Sequence, residues 1–208
     1  MASGSTNNLK ETPRQWKLAS GAPTVSNSEP GFRITKTFST PLYQGAWFSF
    51  SGDRFDLRGR IQEHLRIEFK DPEGFLRVEN QGPEWHGSKK MNISYSHSGE
   101  FALLVWLTTH QIGVDLEKKG REYSHPPIQL AMRFFHPNET QRLQKKSGVP
   151  ADLEASFLDL WLKKEAYGKL TRHGLKDSIH TEINTLTNVL FERVPLIPVG
   201  YDARVAIR

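Results

Sequence analysis

Seven consecutive apolar residues, Phe101-Ala102-Leu103-Leu104-Val105-Trp106-Leu107, constrain this chain most. A strand with one wet face alternates polar and apolar; a run that is apolar at every position predicts a strand covered on both faces. Thr109-His110 can then turn the chain into a second strand, Ile112 to Glu117, expected to lie antiparallel beside the first. That second strand carries Gly113-Val114-Asp115-Leu116-Glu117. Asp115 and Glu117 are two residues apart, so they point to one face. They could form the solvated face of an edge strand. Next to a doubly buried neighbour, however, carboxylates are costly unless paired or metal-bound, which favours a functional role.

A second stretch, Trp161-Leu162-Lys163-Lys164-Glu165-Ala166-Tyr167-Gly168-Lys169, reads as part of a helix from Leu153 to Leu170, with Asp152 as N-cap after the breaker Gly148-Val149-Pro150. Phe157, Trp161, Glu165 and Lys169 recur at steps of four, a stripe that begins apolar and ends charged. Glu165 and Lys169 could be an ordinary exposed pair contributing about 0.3–0.5 kcal/mol. Following directly on Trp161, Glu165 is instead expected to be partly sheltered. Three carboxylates and a lysine can hold a hard divalent cation with a phosphate beside it. The pattern suggests magnesium-assisted chemistry on a phosphate ester or anhydride.

The rest of the chain bounds that chemistry. Its 208 residues suffice for one large domain or two halves sharing a core. Cysteine is absent, which excludes disulfides and thiolate metal sites. No apolar run approaches a membrane span, and Met1 to Thr6 lacks the order of a secretory signal, so the expected location is cytoplasmic. The net charge of +5 favours an anionic partner: nucleic acid, an anionic membrane, a phosphorylated small molecule or an acidic protein. A basic surface without function would look the same.

Residues 1–30, rich in Ser, Asn, Gly, Pro and Thr, read as a loosely docked or poorly ordered arm. Strands are expected at Phe32 to Phe38, Trp47 to Phe50, Phe75 to Val78, Met91 to Ser94, Ile179 to Ile183, Asn188 to Val194 and Arg204 to Ile207. Helices are expected at Arg54 to Phe69, from Pro126-Pro127 to Phe135, and from Pro137 to Lys145. Between apolar segments sits Ser96-His97-Ser98-Gly99, whose hydroxyls, imidazole and N–H groups could hold phosphate oxygens, or which could be a turn with a structural histidine.

In order, Ser96-His97-Ser98-Gly99, Gly113-Val114-Asp115-Leu116-Glu117, Arg133-Phe134-Phe135 with Glu139, and Trp161 with Lys164-Glu165 and Lys169 resemble the 4′-phosphopantetheinyl transferases, most closely the larger, surfactin-synthetase-activating type. The resemblance runs from about residue 91 to 176, with Gly174-Leu175 matching the family's glycine-bearing loop; it is weak over 31–90 and absent before that. It implies an α+β fold of two similar halves related by a pseudo-two-fold axis, each a small antiparallel sheet with a packed helix, here residues 31–110 and 111–208, the latter carrying the metal site. It implies transfer of the phosphopantetheine arm of coenzyme A to a serine of an apo acyl, peptidyl or polyketide carrier protein, releasing 3′,5′-ADP, by a monomer that uses neither nucleic acid nor membrane. Asp115, Glu117 and Glu165 match magnesium ligands, Lys164 and Lys169 match lysines near the pyrophosphate, and Ser96 and His97 match coenzyme A phosphate contacts. Glu165 is the candidate base, with Lys169 stabilising charge on the transferring phosphate or leaving group. Where the family has a Gly-Lys-Pro segment well before the Ser-His pair, Gly87-Ser88-Lys89-Lys90 sits closer and lacks the Pro, with Lys89 and Lys90 as candidate coenzyme A contacts. Tyr95 replaces a smaller aliphatic residue, and Arg58 and Arg60 are the candidates for gripping the nucleotide.

Two rival readings exist. Asp115, Glu117 and Lys119 loosely match a metal-dependent nuclease site, which leaves Glu165, Lys169 and the Ser-His element without a role. A coenzyme A- or carrier-binding protein without turnover would keep the same residues.

Overall fold

A computed structural model describes residues 31–51, 54–79 and 82–208. The expected arm at 1–30 lies outside the described residues. The architecture is mixed α+β with antiparallel sheets. Strands β1 (Phe32–Ser39), β2 (Gln44–Phe50), β5 (Asn92–Ser98) and β6 (Phe101–Leu107) form a four-stranded sheet in the order β1-β2-β6-β5. Strands β3 (Phe75–Glu79) and β4 (Gly82–His86) form a hairpin, and β7 (Ile112–Lys118), β9 (Tyr201–Ile207) and β8 (Leu190–Arg193) form a third sheet in the order β7-β9-β8.

The apolar run becomes β6, and alternation divides its side chains between two cores. Leu103, Val105 and Leu107 pack with Val114, Leu116, Ala203 and Val205 of the third sheet. Ala102, Leu104 and Trp106 pack with Leu57, Ile61 and Leu65. These last three belong to helix α1 (Arg54–Phe69), whose bounds match the sequence reading.

The expected pairing of β6 with β7 is not formed. Both edges of β6 are taken, by β2 and β5, so β7 cannot join its ladder. β7 pairs instead with the C-terminal strand β9. Its other edge lies beside β5 and is reached by side chains. Ser96 to Ser98 lie inside β5, and the turn falls at Gly99-Glu100, where Gly99 adopts a φ of +55°.

Helices α2 (Pro127–Phe134) and α3 (Pro137–Gln144) each begin with proline, whose missing N–H is harmless there. The long helix α4 spans Pro150–Thr171 with Val149 at its N-cap. It starts earlier than the Asp152 cap predicts, because Pro150 opens the first turn instead of breaking the chain. Ile179 to Ile183 is not a strand: a short helix α5 (Leu175–Ser178) and a 3₁₀ turn at Ile183–Thr185 bury Ile179 and Ile183 instead. The hairpin partner β4 was not expected, since Gly82-Pro83 reads as a breaker. No helix of the described residues is long and apolar enough to cross a membrane.

Candidate active site

Alternate residues of β7, namely Gly113, Asp115 and Glu117, face α4. A Cβ on Gly113 would stand 2.1 Å from the Ala166 carbonyl oxygen and 2.4 Å from the Leu170 nitrogen. The missing side chain therefore lets the helix backbone touch the strand. One turn along α4, Lys169 meets Asp115: Lys169 Nζ lies 2.7 Å from Asp115 Oδ1 and 2.9 Å from Ser96 Oγ. Ser96 donates to the same Asp115 oxygen at 2.8 Å. Asp115 is buried, and its Oδ2 has no hydrogen-bond partner among the described residues. Glu117 accepts from Ser98 at 3.1 Å and from Arg121, whose guanidinium also lies 5.0 Å over the Tyr123 ring.

Glu165 lies near these groups, as the stripe of fours predicts. Burial raises its pKa to about 7, and the charges of Asp115 and Glu117 push the same way against Lys169 and Arg121. Three carboxylates thus share one region with incomplete neutralisation. Among the described residues, no three His, Asp or Glu side chains close tightly enough to hold an ion as they stand.

Beside them opens a cleft of about 440 Å³, lined by Tyr95, Ser96 and His97 of β5, by Gly168, Lys169, Arg172 and Gly174 at the end of α4, and by Gly82 and Pro83. Burial raises the Tyr95 hydroxyl above the usual phenol range. His97 stands 6.2 Å from the Phe50 ring. A Cβ on Gly168 would stand 2.7 Å from the Gly174 carbonyl oxygen, so the loop after α4 folds tightly back on the helix.

The other sequence candidates fall elsewhere. Lys164 is fully buried, 2.7 Å from Glu139 Oε2, donating to the Thr181 carbonyl at 2.6 Å and lying over the Phe135 ring. Burial lowers its pKa while Glu139 opposes the shift. It does not line the cleft, because one step along a helix turns a side chain by about 100° away from Glu165. Lys89 and Lys90 are exposed in the β4–β5 connection, at the end of β4 opposite Gly82-Pro83. Arg58 donates to the Leu76 carbonyl at 2.9 Å; Arg60 pairs with Asp56 at 3.2 Å and lies over Phe32. Neither lines the cleft.

Two contributors, Arg121 and Arg172, escaped the sequence reading, and Ser98 takes a role other than the phosphate contact expected of its hydroxyl. Ser98 and Arg121 hold Glu117, and Arg172 lines the cleft while paired with Glu84 of β4. Arg172 caps α4 with a φ of 61°, a left-handed position usually given to glycine. The hydrogen bond from Arg172 holds the Glu84 carboxyl below the usual range. Neither arginine sits in a motif that would have marked it, whereas Ser98 lies two residues from Ser96 and so on its face.

Comparison with known proteins points to the family that the motifs resemble. Residues 111–193 match the profile of the 4′-phosphopantetheinyl transferase superfamily. A Synechocystis protein named as a 4′-phosphopantetheinyl transferase is 34% identical over 91 residues, covering 44% of this chain and 35% of that one. The 4′-phosphopantetheinyl transferase gsp of Aneurinibacillus migulanus is 33% identical over 85 residues, 41% of this chain and 33% of its own. The matches span about a third of these curated relatives' lengths. The family expected from the motifs is thereby borne out as a likeness over residues 111–193, the segment that carries Asp115, Glu117 and Glu165.

Proposed function

We propose that the protein transfers the 4′-phosphopantetheine arm of coenzyme A to a serine of an apo carrier protein, releasing 3′,5′-ADP, with magnesium held by Asp115, Glu117 and Glu165. The observation that carries this reading is the grouping of Glu165 and Lys169 with Asp115 at the wall of a cleft lined by Ser96 and His97. The donor set fits a hard cation: carboxylate oxygens only, one of them, Asp115 Oδ2, buried without a partner among the described residues. When bound, magnesium would neutralise the pyrophosphate and stabilise the departing phosphate.

The chain's own residues do the rest. The cleft takes coenzyme A with its phosphates near His97, Lys169 and Arg172, where cationic and imidazole groups converge. The carrier serine attacks the β-phosphorus; its oxygen–phosphorus bond forms as the bond to the 3′,5′-ADP oxygen breaks. Glu165 takes the serine proton directly or through a water. Lys169 stabilises charge on the transferring phosphate or the leaving group. Residues 31–110 and 111–208 would act as two pseudo-two-fold halves enclosing this cleft in a cytoplasmic monomer. The net charge of +5 would draw in acidic acyl, peptidyl or polyketide carrier domains.

The test uses purified protein, apo carrier protein, coenzyme A and magnesium, read by mass spectrometry. The carrier should gain one phosphopantetheine arm. Asp115→Ala or Glu165→Gln should lower the rate by at least about 100-fold, the scale of losing a positioned acid–base group. No mass gain on any carrier type would end this reading.

A further inference from the structure

On the β4 side of the cleft, one lining cation is held by a carboxylate that does not line it. Arg172 ends α4 and lines the cleft, and its guanidinium donates to Glu84 of β4. Glu84 follows Pro83, which lines the cleft, but lies outside the lining itself.

Two features set this pair apart from Lys169 and Asp115 in the same region. The first is exposure. The Asp115 side chain is 8% exposed, whereas those of Arg172 and Glu84 are 34% and 42% exposed. An ion pair that open to water contributes little, so its partners separate at small cost. The second is the backbone. Arg172 holds a φ of 61°, a left-handed conformation that a Cβ disfavours and glycine adopts freely. A long cationic side chain stands there against the preference of the backbone, which points to a use for its charge.

Glu84 would not be stranded if Arg172 moved away. His86 Nε2 lies 3.5 Å from its other oxygen, Oε2, and Arg77 stands directly opposite in the hairpin, on the same face. Arg172 would gain by the exchange. A phosphate offers more charge and more lone pairs than a carboxylate, and a planar guanidinium can donate to two of its oxygens at once. Ser96, His97 and Lys169 line the same cleft, so Arg172 adds its contact to theirs.

We propose that Glu84 is a competing anion: it holds the Arg172 guanidinium before the nucleotide enters, yields it to a phosphate of the bound nucleotide, and takes it back as the nucleotide leaves. This rests on the coenzyme A reading of the cleft and adds to it a residue that sets nucleotide affinity. The competition speeds release of 3′,5′-ADP, because Glu84 recaptures Arg172 whenever the phosphate loosens its hold.

The experiment uses the full chain without divalent cation or carrier protein. Calorimetry measures 3′,5′-ADP binding, and stopped-flow displacement measures its release. Glu84→Gln should tighten binding by about 3–5-fold, chiefly through slower release. Arg172→Gln should weaken it by about 10-fold, the scale of one hydrogen bond to a charged group. Adding Glu84→Gln to Arg172→Gln should change nothing further, whereas plain repulsion between Glu84 and the nucleotide would tighten binding in that background too. Arg172→Gly, which relieves the backbone, should bind as weakly as Arg172→Gln yet melt at a higher temperature. Unchanged affinity in Glu84→Gln overturns the inference, as does a gain that persists in the double variant or wild-type affinity in Arg172→Gly. If the wild-type protein binds no 3′,5′-ADP, the coenzyme A reading falls along with it; wild-type binding that Glu84→Gln leaves untouched removes the role of Glu84 alone.

Discussion

Glu165 shows how a single side chain can trade stability for chemistry. Its folded pKa of about 7 stands above the ordinary 4.5, raised first by burial and then by Asp115. Between those two values the folded state binds more protons than the unfolded one, so this group's contribution to stability is lost as pH rises from 4.5 through 7. Glu165→Gln should therefore stabilise the metal-free protein at pH 8 by on the order of 1–2 kcal/mol after allowance for solvent screening, with little effect near pH 4. Thermal melts of both proteins across that range check it; equal melting temperatures at pH 8 would contradict the assigned cause. Lys164 has the opposite character. Its ammonium and Glu139 are both fully buried, and Glu139 also accepts from the Ile183 N–H at 2.8 Å. Lys164→Met should cost about 3–5 kcal/mol, because it strands a buried carboxylate. Adding Glu139→Gln should recover most of that loss, since an amide oxygen can still serve Ile183 without a charge. Urea denaturation of the single and double variants measures the coupling; equal stability of the two variants would argue against a stranded charge.

At the scale of elements, the contact between β7 and α4 sets the site. Helix α4 buries Phe157 and Leu160 against α2 and α3 residues, and Ala166 and Leu170 against the third sheet's side of the molecule. The helix can come so close only because position 113 has no side chain. Gly113→Ala forces a methyl group into the Ala166 and Leu170 backbone, which cannot swing aside as a flexible side chain would. The expected loss is about 1–3 kcal/mol or more, together with a fall in transfer rate as Asp115 shifts against Lys169. Gly59, inside α1 with nothing within 4 Å of an added Cβ, supplies the contrast. Gly59→Ala should gain about 0.5–1 kcal/mol and leave the rate alone. Differential scanning calorimetry with a carrier-modification assay separates the two; matching behaviour would deny the contact its role.

For the molecule as a whole, short-range pattern was legible and long-range pairing was not. The limits of α1, the burial of β6 on both faces and the shared face of Asp115 and Glu117 all follow from periodicities of a few residues. The partner of β7 does not, because Tyr201–Ile207 lies far along the chain and local turn signals at Thr109-His110 point to β6 instead. Lys164 illustrates the same limit at the site. Its place in the motif was clear, but which side of α4 faces a cleft depends on what packs around the helix. The seam between β5 and β7 was equally hidden, since serines in a strand announce no partner. It also has a mechanical meaning. The hydroxyls serve backbone N–H groups on the edge of β7 that no strand reaches, while the apolar side chains packed between the two sheets hold them together. Opening that seam would bare the apolar residues of both sheets to water, a cost that keeps the β7 carboxylates in place against the β5 serines.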